Sequence, residues 1–156
     1  MVINIGISED NRKAVADRLN QLLADEHILY NRTRSFHWNV EGPNFMEFHK
    51  LYEEQYAALE EKIDEIAERI RIIGHYAEGR LVELVKLSKL EEKETPTDTR
   101  DQVQLLVKYH ESIITDLRQM EKDFSELNND AGSSDFVNGL MQFHEKTAWI
   151  LRSYLR

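Results

Sequence analysis

Apolar residues return every three or four positions along most of this chain, and the runs break at only a few places. That spacing marks amphipathic helices, each with one face that must be buried. The first stripe, Val15, Leu19, Leu22, Leu23, Leu29, Phe36 and Val40, follows Ser8 and runs to Gly42. Ser8 suits an N-cap, and Glu9 and Asp10 after it suit the positive end of a helix dipole. From about Asn44, Phe45, Phe48, Tyr52, Leu59, Ile63, Ile66, Ile70 and Ile73 make a second stripe ending at Gly74. A third runs from about Thr99 to Leu127 through Val103, Leu106, His110, Ile113, Leu117, Met120 and Phe124. A fourth begins at Ser133 or Ser134 and carries Phe136, Val137, Leu140, His144, Leu151 and Leu155. Residues 80–88, RLVELVKLS, fit a short helix inside the long connection between the second and third stripes.

Four long helices with one long crossover predict an all-α, ferritin-like four-helix bundle with a short extra helix in that connection. Glycine and proline fall where such a bundle needs punctuation, at Gly42-Pro43, Gly74, Gly79, Pro96 and Gly132. No strand pattern or internal repeat competes, and 156 residues suffice for one domain, 1–156, with 1–7 as a short N-terminal tail. The charged stretch from Lys89 to Glu94 reads as a solvated loop.

Composition narrows the chemistry. With no cysteine, disulfides, thiolate zinc sites and a cysteine nucleophile are excluded. The opening MVINIGISED has no basic flank and no long apolar run, and no stretch reaches the roughly 18 apolar residues of a membrane span. A soluble, cytoplasmic protein is therefore expected. The formal net charge of −9, from 29 acids against 20 Lys and Arg, argues against generic nucleic-acid binding and is compatible with attracting cations.

The candidate chemistry lies in His37, His49, Asp64 and Glu68, set 12, 15 and 4 residues apart. On a wheel of about 100° per residue, His49, Glu53, Asp64 and Glu68 share an arc of about 100°, away from the core stripe of the second helix. Asp64 and Glu68 are like charges at i,i+4, an unfavourable pairing unless something positive sits between them. The turn at Glu41-Gly42-Pro43 folds the first two helices antiparallel and brings His37 beside His49. The carboxylates then lie about 22 Å further along the same helix, too far to close on the same ion. A two-fold axis near Tyr56 and Ala57 would let a second copy supply the missing half, giving two mixed imidazole–carboxylate sites per dimer. Such a donor set suits iron, zinc or manganese. None of the six histidines has a Glu three residues before it, which removes the usual intrasubunit di-iron motif.

The run SFHWNVEGPNFMEFHKLYEEQY, followed by KIDEIAERIR, resembles the Dps proteins, the miniferritins that protect DNA in starved bacteria. The resemblance covers nearly the whole chain, down to a late Trp149. It implies a hollow dodecamer that oxidises Fe2+, preferably with hydrogen peroxide, and stores ferric mineral inside. His37 and His49 would come from one subunit, Asp64 and Glu68 from its two-fold mate. Glu53 stands where members often carry Asp, and would ligate a second iron or hold a bridging water. Trp38 would sit near the iron and absorb stray oxidising equivalents, or else fill the dimer interface. Without a polybasic tail, direct DNA binding is expected to be weak or absent.

Other expectations are secondary. Glu47, Glu54, Glu61 and Glu65 share a second arc, suited to mineral nucleation or to plain solvent exposure. Asp130 and Asp135 would line a pore or serve as helix caps. His27, His75, His110 and His144 match no ligand spacing and read as structural or surface residues. Two alternatives remain open: a non-catalytic helical shell stabilised by zinc, and a nucleoid-associated protein.

Overall fold

The computed structural model describes residues 3–92 and 94–156, in which five helices follow one another: α1 (Glu9–Asn39), α2 (Phe45–Ile72), α3 (Leu81–Leu87), α4 (Thr99–Glu126) and α5 (Ala131–Ser153). No strand occurs among these residues. α1 and α2 form one antiparallel hairpin and α4 and α5 another; α1 packs on α4, α2 meets α5, and α3 lies against α1. The apolar stripes read from the sequence converge between the four long helices. Leu19, Leu22, Leu29, Tyr52, Ile66, Leu106, Leu117 and Val137 are all completely buried. This is the ferritin-like arrangement, with a short helix in the crossover.

Caps set the boundaries. Ser8 accepts the backbone N–H of Asn11 at 3.2 Å, and Asp98 accepts those of Arg100 and Asp101. α1 stops at Asn39, before Gly42, because Val40 turns to extended backbone. Gly42 then takes a φ of +109°, a left-handed conformation natural to glycine, and this reverses the chain into α2. The second stripe closes at Gly74, where φ is +98° and a Cβ would lie 2.2 Å from Ile3 Cδ1. Ile3 of the N-terminal tail thus packs over the end of α2; Met1 and Val2 of that tail lie outside the described residues.

Two expectations need correction. α5 begins at Ala131, not Ser133 or Ser134, because Asp130 is the cap, accepting the Ser133 N–H at 2.9 Å. Asp130 is also buried against the Arg69 guanidinium at 3.2 Å, so it is a structural anchor with no free carboxylate for a pore; Asp135 is exposed. The stretch from Lys89 to Glu94 is not simply solvated. Leu90 is buried, and the Asp25 carboxylate accepts the N–H groups of Lys89 and Leu90 and the Ser88 hydroxyl. Burial raises the Asp25 pKa against the pull of those donors. Lys93 of this stretch lies outside the described residues.

The core also holds a polar chain. His144 Nε2 contacts Glu26 Oε1 at 2.7 Å, and its Nδ1 contacts His110 Nδ1 at 2.9 Å. All three side chains are fully buried. His110 and His144 are therefore structural, and they link α4 to α5 and, through Glu26, to α1.

Candidate metal centre

The hairpin between α1 and α2 brings two of the candidate ligands, His37 and His49, together. His37 lies in the last turn of α1 and His49 in the first turns of α2. Their rings stack at 3.8 Å between centroids with 21° between planes. Each ring is fixed by the other residue's backbone: His37 Nδ1 lies 2.7 Å from the His49 carbonyl, and His49 Nδ1 lies 2.9 Å from the His37 carbonyl. A helix leaves its last carbonyls without intrahelical partners, so the His37 carbonyl is available by position. A carbonyl can only accept, so both Nδ1 atoms carry the proton. Nε2 is then the nitrogen left to bind a metal, which neutral imidazole does through its lone pair.

Aromatic neighbours hold this pair in place. Phe45 stacks on His49 at 4.9 Å, and Tyr56 meets His37 edge-on at 5.2 Å. His37 is buried and His49 half-buried. The sequence pointed to the proximity of the two histidines; it carried no sign of the crossed hydrogen bonds.

Asp64 and Glu68 stand exposed, one turn apart on α2. Asp64 borders a shallow hollow shared with His27, Glu60, Glu61 and Glu78. Fifteen residues of continuous helix separate it from His49, about 22 Å of rise. Among the described residues, no group of three or more His, Asp or Glu converges on one point. The fold thus brings His37 and His49 together and leaves Asp64 and Glu68 at the far end of the same helix. Glu53, one turn beyond His49, is exposed.

Trp38 is 62% exposed, with the Arg34 guanidinium 4.9 Å above its ring. In the acidic arc, Glu47, Glu54, Glu61 and Glu65 are all exposed, and Lys62 donates to Glu65 at 2.9 Å. His27 is neither a core nor a free surface residue: it is half-buried, and desolvation holds its imidazole below the ordinary value. Tyr30 and Tyr56 escaped sequence reading as site residues, since nothing in helical spacing separates them from core aromatics.

A model for the ferritin-like domain matches residues 16–156. The chain is 32% identical over 143 residues to DNA protection during starvation protein 2 of Bacillus anthracis, covering 92% of this chain and 97% of that one. It is 41% identical over 155 residues to an uncharacterized low temperature-induced protein of Nostoc, covering 98% of this chain and 86% of that one. Its fold superposes on a DPS protein from Vibrio cholerae, described as belonging to a broad superfamily of ferritin-like diiron-carboxylate proteins. The TM-score is 0.93 at 30% identity, over 100% of this chain and 98% of the other.

Proposed function

This chain belongs to the Dps family of ferritin-like proteins, and on that premise we propose that it is an iron-storing ferroxidase completed by self-assembly. His37 and His49 of one subunit and Asp64 and Glu68 of its two-fold mate bind Fe2+, the substrate. Glu53 serves a second iron or a bridging water, and Trp38 stands at the rim of the site. The subunits form a hollow dodecamer, and hydrogen peroxide is the preferred oxidant, ahead of dioxygen.

The observation that carries this reading is the crossed hydrogen bonding of the histidines, which commits both Nδ1 atoms to backbone, with no third ligand converging on them among the described residues. The acceptor geometry turns each Nδ1 to backbone and each Nε2 away from it, and the stacking fixes the separation of the rings. Two carboxylates from the mate add negative charge, which favours Fe3+ over Fe2+ and makes the bound ion a better reductant. Two ferrous ions, one peroxide and two protons give two ferric ions and two waters, with no hydroxyl radical released. The ferric product hydrolyses and moves inward, where Glu47, Glu54, Glu61 and Glu65 offer oxygen donors for the first mineral. The reaction belongs in the cytoplasm, and protection is chemical: the acidic chain binds DNA weakly or not at all.

A mixing experiment tests the shared site. His37→Ala and Asp64→Ala are each inactive alone. Reassembled together at equal amounts, they regain about a quarter of the wild-type centres, because half of the dimers are mixed and each holds one intact site. No recovery, or activity in a lone monomer, overturns the reading. A zinc-holding shell without redox work is the competitor, since zinc suits the same donors. It gains the ground if metal binds stoichiometrically while peroxide and Fe2+ produce no ferric absorbance.

A further inference from the structure

Two tyrosines form a path leading away from His37. The Tyr56 ring meets the His37 ring edge-on at 5.2 Å and 72°. Tyr30 meets Tyr56 in the same fashion at 6.1 Å and 89°. Both rings are half-buried between α1 and α2. The Arg34 guanidinium closes the path, donating to the Tyr30 hydroxyl at 3.0 Å. The same guanidinium lies over the Trp38 ring at 4.9 Å.

Arg34 also lies over the Tyr30 ring, 5.8 Å from its centroid, yet its charge bears on the two kinds of aromatic differently. An indole that gives up an electron becomes a radical cation, which a permanent positive charge against its face disfavours. A phenol that gives up an electron also gives up its proton and becomes neutral, and its oxygen still accepts the guanidinium N–H. Trp38 is therefore the harder of the two to oxidise, although it is the one adjacent to His37 in sequence.

We propose that Tyr56, with Tyr30 behind it, supplies the second electron when a centre holds only one ferrous ion. The proposal rests on the ferroxidase reading above. Peroxide needs two electrons to become water; given one, it splits to hydroxide and hydroxyl radical. With the phenol contributing, one Fe2+, one tyrosine, one hydrogen peroxide and one proton from solvent give one Fe3+, one neutral tyrosyl radical and two waters. The O–O bond breaks, the iron and the phenol each lose one electron, and the phenolic proton joins the solvent proton in the products. The hole then rests on Tyr56 or passes to Tyr30, whose oxygen Arg34 steadies.

The test uses the assembled protein, loaded with one Fe2+ per centre, mixed with peroxide and freeze-quenched for electron paramagnetic resonance. The expected signal is that of a tyrosyl radical, altered by ring-deuterated tyrosine, persisting in Trp38→Phe and lost in Tyr56→Phe. In Tyr56→Phe, spin-trapped hydroxyl radical per iron oxidised rises several-fold, while the assembly remains intact by light scattering. Tyr30→Phe keeps a tyrosyl signal that decays sooner. An indole signal lost in Trp38→Phe, or a tyrosyl signal unchanged in Tyr56→Phe, overturns the proposal. So does a wild type that oxidises iron with no organic radical, a result that leaves the ferroxidase reading standing. A wild type that never oxidises iron sinks both.

Discussion

The chain contains two pairs of histidines in contact, and they are built in opposite ways. His37 and His49 pair at the edge of the bundle, each ring bonded to the other residue's carbonyl. His110 and His144 pair in its centre, Nδ1 against Nδ1, with Glu26 holding the far side of His144. In the first pair each Nδ1 proton is committed to backbone, which turns Nε2 away from it. In the second, one proton is shared between two nitrogens and the only carboxylate faces His144. Glu26 Oε2 and His110 Nε2 have no hydrogen-bond partner among the described residues, in a place no solvent reaches. On the proposed function, whether a histidine is a ligand or a girder depends on what its Nδ1 meets.

The largest effect expected from breaking this contrast is at the edge pair. Loss of a supporting hydrogen bond to a metal ligand typically costs about 10–100-fold in affinity or activity. Removal of a proposed ligand, as in His49→Ala, is expected to cost more. Stopped-flow absorbance of ferric product at two irons per centre reads it, with the fold checked by circular dichroism.

Next comes the core pair. In His144→Leu, Glu26 is left buried without its donor, and the expected loss is about 1–3 kcal/mol, the usual cost of leaving a buried polar group unsatisfied. Glu26→Gln keeps an oxygen to accept from His144 Nε2, and its melting temperature should stay close to that of the wild type. If His144→Leu melts like the wild type, the girder reading fails.

The acid response sharpens the contrast further. Burial, and then the neighbouring His144, hold the His110 imidazole well below its ordinary value. The unfolded chain takes up this proton near pH 6.5 while the folded chain resists it. His110 therefore contributes full stability above about pH 6.5 and progressively less as pH falls toward its folded pKa. Melting temperatures measured at falling pH should decline more steeply in wild type than in His110→Gln. Equal slopes would show that another group governs the acid limb.

The smallest effect is expected at Glu53. Glu53→Asp shortens the side chain by one methylene while keeping the carboxylate, and oxidation at two irons per centre should change by no more than a few-fold. A complete loss would make Glu53 an indispensable ligand, on a level with His49.

Much of the architecture was legible because it is local. Leu19, Leu22, Ile66 and Leu117 recur at helical spacing and are buried as that spacing requires. Ser8 lies where a cap was expected. The fourth long helix was placed two or three residues late, because Ser133 and Ser134 look like caps as convincingly as Asp130 does. Only the Arg69 contact across the bundle shows why Asp130 holds that position. Leu90 and Asp25 illustrate the same limit, since the acid and the backbone N–H it accepts are 65 positions apart in the chain. His110 and His144 looked unremarkable in sequence for the same reason.

By itself, the sequence determined the helices, their order, the turn that pairs the first two, and the distance that stops one chain from closing a ring of ligands. Those properties follow from 1.5 Å of rise and about 100° of turn per residue, which any reader of the chain can apply. The tertiary structure decided which histidine nitrogens face backbone, which acid is a cap, and which tyrosine touches His37. Such choices depend on atoms brought together from distant parts of the chain, and no periodicity within a single helix encodes them.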